Sequence, residues 1–361
     1  MKVANILKKY TMTFALVVVF VFFTFLTGGR LIYAQNISNL LLQNAYVLVM
    51  ACGMLLCILT GGNVDLSVGS TLCLSAALSA KLMQGGANAG VAILSSLAVA
   101  AVIGLFQGYL IGYVHIPPFI CTLAGMFLWR GVGRVILDSK TISIQNDTFL
   151  NLFSSYIQIP GLDSEKHYIS ALIVGIVVAV IATAMMLRSR AVQRKNGTVT
   201  GSEIGAIAKV VIIDALIVIY SYKLMQYKGI PVMLLWILAV VLIFGFITGS
   251  TVFGRYFYAV GGNEKATKLS GIDPRKVYFW AYFLMSFLAG ISGLLMGARI
   301  GSVDGQMGNS YEMDAIASCF IGGASAYGGS GTVPGIMIGA ILLGVINQGM
   351  SIYGLSDSWQ Y

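Results

Sequence analysis

Charge is what this 361-residue chain has least of: 13 acidic residues, 22 basic residues and two histidines leave 10% of positions charged. A soluble domain carries about 25% charged residues, so a chain this long could not cover its own surface in water. The five cysteines, Cys52, Cys57, Cys73, Cys121 and Cys319, all fall in apolar stretches, and no Cys-x-x-Cys or Cys/His spacing points to a metal or redox centre. They are expected to behave as small packed hydrophobes. The dipeptide Gly-Lys occurs nowhere, which removes the phosphate-binding pattern G-x-x-x-x-G-K-[ST]; an ATP-driven function would need a separate ATPase. What is abundant is apolar sequence, 58% of the chain with a mean hydropathy of +0.87. It comes in uncharged runs of about 20 residues, the length a helix needs to cross roughly 30 Å of hydrocarbon. Short alternating segments of the membrane-barrel kind are missing. The expectation is an all-α, polytopic membrane protein of about nine or ten transmembrane helices, some broken or re-entrant. A soluble enzyme, a nucleic-acid binder and an outer-membrane barrel are excluded, although the pI near 9.3 could suggest nucleic acid.

Lys2, Lys8 and Lys9 precede the apolar run Phe14 to Leu26, and no small-x-small cleavage site follows, which reads as an uncleaved first helix. Further spans are expected at Leu41 to Thr60, Leu66 to Leu82, Val91 to Tyr113, Pro117 to Leu137, Ile169 to Leu187, Ile207 to Tyr220, Val232 to Thr248, Val277 to Ala298 and Val333 to Met350. Lysine and arginine accumulate in cytoplasmic loops. Threading from a cytoplasmic N-terminus places two basic loops on that side, one with Arg188, Arg190, Arg194 and Lys195, the other with Arg255, Lys265, Lys268, Arg275 and Lys276. The opposite side receives the polar loop with Asp138, Asp147, Asp163 and Glu165, and the turn with Asp304 and Glu312. Of the 22 basic residues, 12 thus fall in three cytoplasmic segments, so the net charge of +9 is largely an orientation signal.

Two glycine-rich breaks interrupt apolar sequence. The first runs from Thr60 to Ser70 and holds Asn63, Asp65, Ser67 and Gly69. A carboxylate at a helix centre costs about 2.5 to 3.5 kcal/mol on insertion scales, and broken backbone is tolerated in a membrane only inside protein or along a wet cavity. Asn63, Asp65 and Ser67 could line a polar path; equally, Asp65 could cap a helix that begins at Leu66 after an ordinary turn. The second break runs from Ile321 to Gly335 and permits close helix packing or a re-entrant turn. The two share a double glycine, a polar interval, Gly-Ser or Gly-Thr and then an apolar helix, an echo of the kind that repeat-built transporters show.

The loop from Gly254 to Pro274 carries the signals of a short helix: Asn263 as N-cap, Glu264 in the first turn, Lys268 in the last, Gly271 at C′ and Pro274 as a stop. Two turns of helix are marginal alone in water. The segment is either a docking helix that offers Ala266 and Leu269 to a cytoplasmic partner or a plain connector.

Taken together, the stretch from Gly61 to Ser70, the segment Ala259 to Ile272 and the region from Tyr311 through Gly344 resemble the permease subunits of bacterial ABC importers for ribose, xylose, galactose and other monosaccharides. Pro117 to Gly125 and Arg130-Gly131 also look like family sequence, and the likeness covers about residues 40 to 356. The basic insert from Arg188 to Lys209 looks most like the xylose or multiple-monosaccharide branch. The resemblance implies a single permease domain over 1–361 in the bacterial inner or plasma membrane, with its N-terminus in the cytoplasm. It implies no cofactor on this chain, an ABC ATPase that holds ATP and Mg, an extracytoplasmic sugar-binding protein, a second permease subunit as a homodimer, the lipid bilayer around them, and no nucleic acid. Residues 251–276 would form the cytoplasmic coupling loop, with Gly261, Gly262, Asn263, Glu264, Ala266, Lys268, Leu269 and Gly271 meeting the ATPase. Asn63, Asp65, Ser67, Gly69 and Ser70 would lie on the translocation path. Family members usually continue past the region of Trp359 with a further apolar segment, so a final family helix would have no counterpart before Tyr361. The rival from another class is an ion-coupled secondary transporter, for which Asp65, Asp214 and Asp314 are the candidates; Asp214 could instead pair with Lys209 or Lys223.

Overall fold

The computed structural model describes residues 2–164, 167–197 and 203–355, with side chains from Thr11 onward and, after the second gap, from Gly205. Glu165, the Trp359 region and the side chains of Lys2, Lys8 and Lys9 lie outside the described residues. Every stretch expected to span is helical. The helices are α1 (Lys2–Leu26), α2 (Ala34–Gln43), α3 (Ala45–Leu59), α4 (Val68–Gln84), α5 (Ala89–Gly112), α6 (Pro118–Ile136), α7 (Asp147–Ser154), α8 (Ile169–Lys195), α9 (Glu203–Met225), α10 (Val232–Ser250), α11 (Val252–Gly262), α12 (Glu264–Leu269), α13 (Pro274–Ile300), α14 (Tyr311–Ile321) and α15 (Val333–Tyr353). Eight candidate spans among the described residues are long and apolar enough to cross a membrane: α2 taken with α3, then α5, α6, α8, most of α9, α10, α13 and α15. At about 1.5 Å per residue, the 17 residues of α4 fall short of a full crossing, and the 11 of α14 cover roughly half of one. Each of them borders one of the glycine-rich breaks.

Contacts divide the chain into two units. The first comprises Met1–Gly28, Leu40–Ser155 and Val232–Tyr361. Its centre is α13, which packs on α3, α4 and α5, with every residue of α3 buried. Close approach is built into α5, where Gly104, Gly108 and Gly112 recur one helical turn apart. A Cβ at these positions would stand 2.8, 2.7 and 2.5 Å from the carbonyl oxygens of Phe283, Phe279 and Arg275, so α5 lies with its backbone directly on α13. The five cysteines are free and buried, as small packed hydrophobes are.

The second unit comprises Gly29–Asn39 and Tyr156–Pro231. It consists mainly of α8 and α9 packed as a hairpin, whose outer faces expose Val177, Val180, Ile181, Val211, Ile212 and Leu216, as a lipid-facing pair requires. Desolvation pushes the Asp163 carboxyl up, but hydrogen bonds from Ile159 N–H at 2.7 Å, Ser170 N–H at 2.9 Å and the Ser170 hydroxyl at 2.7 Å outweigh it and hold Asp163 below the usual carboxylate range. Asp214 does not pair with Lys209 or Lys223. It accepts from the Thr183 hydroxyl across the hairpin, because lysines five and nine residues away fall on other faces of a helix with 3.6 residues per turn.

Candidate functional site

The first break places a carboxylate in the interior. Asp65 is fully buried, and its Oδ1 accepts from the Ser67 N–H at 2.8 Å and the Ser67 hydroxyl at 2.6 Å. This is an Asx turn rather than the N-cap of a helix starting at Leu66; α4 begins at Val68 with Ser67 as its flanking residue. Ser67 Oγ in turn meets the amide of Gln107 on α5, which donates from Nε2 at 3.0 Å. The other carboxylate oxygen, Asp65 Oδ2, is buried without a partner, as are Ser70 Oγ, Thr71 Oγ1 and Glu312 Oε2. Buried polar groups are nearly always hydrogen-bonded, and four oxygens without a partner lie within and beside this one break.

Glu312 comes to this place on α14, where an acid in the first turn suits the helix dipole. Ahead of α14 the chain runs irregularly beside α4: Asp304 O accepts from Cys73 Sγ at 3.6 Å, and a Cβ on Gly69 would overlap both Gly308 O and Glu312 Oε2. Irregular backbone packed among helices needs its carbonyls satisfied by protein. Arg130 on α6 does this, donating to Met307 O at 3.2 Å and Gly308 O at 3.0 Å.

At its other end the break meets two further glycine pairs. A Cβ on Gly62 would overlap Ala326 O; one on Gly328 would lie 2.5 Å from Gly61 Cα; one on Gly329 would lie 2.9 Å from Gly262 N; and one on Gly261 would overlap Leu59 O and come to 2.5 Å from Gly329 N. Gly329 N–H donates to Leu59 O at 3.0 Å. Gly61-Gly62, Gly261-Gly262 and Gly328-Gly329 thus form one backbone-on-backbone junction among the end of α3, the end of α11 and the turn between α14 and α15.

From this junction α12 departs. The Asn263 side chain accepts from Ala266 N–H at 2.9 Å, Gly271 adopts a φ of 86°, and Pro274 opens α13, so the capping signals are realised residue by residue. The Thr267 hydroxyl, donating to Ala259 O at 2.8 Å, ties α12 back to α11. Glu264 accepts from Tyr278 at 3.1 Å. Ala266 and Lys268 are exposed, and Leu269 is 90% exposed. Beside α12 opens a cavity of about 640 Å³ lined by Asn63, His115, Glu264, Lys268, Arg275 and Tyr278. A hydrogen bond from the Arg275 guanidinium, reinforced by its charge, keeps Asp273 at the cavity rim below the usual carboxylate range.

Of the expected path residues, Asp65, Ser67, Gly69 and Ser70 are buried together, while Asn63 turns to the cavity by α12. The eight expected coupling residues run from the end of α11 (Gly261 and Gly262) through the Asn263 cap and α12 to Gly271. Sequence reasoning missed Gln107, and it took Glu312 only as part of an acidic turn opposite the basic loops and Arg130 only as family sequence; each reaches the break from a distant helix and carries no local signal. The three intramembrane aspartates each have a separate partner: Ser67 for Asp65, Thr183 for Asp214, and Tyr46, which donates at 2.6 Å, for Asp314.

A polytopic helical chain with two glycine-rich breaks inside its apolar core, and a short capped helix projecting between spans, has the architecture of a membrane permease. The chain belongs to the family described as branched-chain amino acid transport system / permease component, whose model matches residues 36–361. It is 35% identical to the xylose transport system permease protein of Haemophilus influenzae, covering 98% of this chain and 92% of that protein. Identity to the xylose transport system permease protein of Escherichia coli K12 is 30%, over 98% and 88%, and to the ribose import permease protein of the same organism 31%, over 90% and 81%. No solved structure matches the chain. The family resemblance carried by the three motifs is borne out.

Proposed function

We propose that this chain is the membrane-spanning subunit of an ATP-driven importer that passes a monosaccharide across a bacterial inner or plasma membrane. The sugar class rests on the relatives named for xylose and ribose. A partner ATPase holds ATP and Mg, an extracytoplasmic binding protein delivers the sugar, and a second copy of the chain completes the path. The N-terminus lies in the cytoplasm, by the placement of Arg188 to Lys195 and Arg255 to Lys276.

The observation that carries the reading is α12. A six-residue helix would not persist alone in water; here it is capped, anchored by Thr267, and presents Leu269 to solvent. ATP binding closes the ATPase pair against α12, and the glycine junction passes that displacement to both breaks. The orphaned oxygens of Asp65, Ser70, Thr71 and Glu312 then supply acceptors for sugar hydroxyls as the path opens beside α4. Glu264→Ala with Leu269→Asp in the reconstituted complex tests this. Sugar-stimulated ATP hydrolysis and uptake should fall at least tenfold, and unchanged rates would remove the coupling role.

A further inference from the structure

Exposed large apolar side chains in this chain sit mostly on helices long enough to span, where lipid covers them. Off those helices, the two most exposed are Leu269 on α12, 90% exposed, and Tyr327, 91% exposed, in the turn between α14 and α15. The Tyr327 turn is held stiffly. Ser325 N–H donates to Ser330 O at 2.8 Å and Gly328 N–H to Ser325 O at 3.0 Å, Tyr327 N–H donates to Ser325 Oγ at 3.1 Å, and Tyr258 on α11 donates to Gly331 O at 2.9 Å. Gly328 and Gly329 adopt positive φ of 84° and 69°. Their backbones rest on Gly61-Gly62 and on Gly261-Gly262, immediately before the cap of α12.

We propose that the turn from Ala324 to Gly331 is a second seat for the ATPase subunit, with Tyr327 as its anchoring side chain, continuous with α12 through the Gly329 contact to Gly262. This rests on the reading of α12 as the coupling helix. An exposed aromatic on a rigidly held turn has little backbone freedom to lose on docking, and aromatics dominate interface energetics. Lipid tails are the wrong cover, because the adjoining segment 255–276, which includes α12, carries Arg255, Lys265, Lys268, Arg275 and Lys276 against Glu264 and Asp273. That charge fits a water-soluble partner whose groove is apolar at its floor and acidic at its rim. Since Gly328 also lies on Gly61, a partner that grips Tyr327 bears on the first break without the mediation of α12.

The test uses the full chain purified in complex with its co-expressed ATPase, with a photoreactive benzoylphenylalanine in place of Tyr327 or of Leu269. Both positions should cross-link to the ATPase, identified by mass spectrometry. In addition, Tyr327→Asp should weaken ATPase binding to the nanodisc-held permease about tenfold or more, while Tyr327→Phe keeps it and the thermal midpoint of the permease alone is unchanged. Cross-linking at 269 but not at 327, with Tyr327→Asp binding as the native chain does, overturns the second seat and leaves α12 standing. Failure at both positions overturns the reading of α12 as well. A permease–permease or lipid adduct at 327 assigns Tyr327 to another surface and overturns the proposal.

Discussion

Gly261 and Gly262 are neighbours at the end of α11, and the junction makes opposite demands on them. A methyl on Gly261 would overlap Leu59 O and come to 2.5 Å from Gly329 N, whereas a methyl on Gly262 meets nothing within 4 Å. Real Cβ contacts essentially never fall below 3.0 Å. The three backbones must therefore part by at least about 0.5 Å at Gly329 and by more at Leu59, in a close-packed interior that transmits such strain. Overpacking of this kind costs about 1 to 3 kcal/mol. Loss of the Gly329 N–H bond to Leu59 O adds about 0.5 to 1.5 kcal/mol, so Gly261→Ala should destabilise the permease by roughly 2 to 4 kcal/mol. Gly262→Ala should be neutral, or stabilise α11 by a few tenths of the roughly 0.5 to 1 kcal/mol that separates alanine from glycine in a helix. Thermal unfolding of each variant in detergent measures the first difference, and sugar-stimulated ATP hydrolysis in the reconstituted complex measures whether the junction transmits displacement. Gly261→Ala should lower both. Indistinguishable behaviour of the two alanine variants would refute the junction.

Arg130→Lys should cost about 1.5 to 3 kcal/mol in unfolding free energy, because an ammonium lacks the fixed planar fork by which the guanidinium reaches the carbonyls of Met307 and Gly308 with separate nitrogens; a stability equal to the native chain's would show that the irregular segment does not depend on it. Asn263→Ala removes the acceptor for Ala266 N–H and about 1 kcal/mol of cap, so coupled ATP hydrolysis should fall, while Asn263→Asp, which still caps, should keep it; equal rates for the two would discount the cap. The carboxyl of Asp163 is held below its ordinary range, so its contribution is full above the unfolded value of about 3.9 and is lost as pH falls through the lower folded value. Amide hydrogen exchange, corrected for its intrinsic pH dependence, should lose protection at Ile159 and Ser170 as pH falls below about 4 in the native chain and show no such step in Asp163→Asn; matching profiles would contradict this.

The parts of the site that were legible beforehand are those whose signals are local. Asn263, Gly271 and Pro274 fix α12 within a dozen residues of chain, and the structure realises each. The breaks were visible as glycine doublets, but their convergence was not, because no single doublet records which backbone it will touch. Asp65 was read between a path residue and a cap for Leu66. Its turn to Ser67 depends on Gln107 forty positions away, which holds the Ser67 hydroxyl. Glu312 and Arg130 lie on α14 and α6, and only the packing of both against α4 gives them a role. Asp214 was paired by sequence proximity with lysines, whereas its partner is set by the geometry of a helix hairpin.

That hairpin bears on how the chain is made. A lone aspartate costs about 2.5 to 3.5 kcal/mol when a single helix partitions from the translocon into lipid, and α9 carries Asp214 with Lys209 in its own stretch. Thr183 leaves the ribosome 31 residues before Asp214, so the hydroxyl that shields the carboxylate is already in place when α9 arrives. The α8–α9 pair can therefore enter the bilayer as one unit, the cost of Asp214 being lowered by a partner that α8 has already delivered.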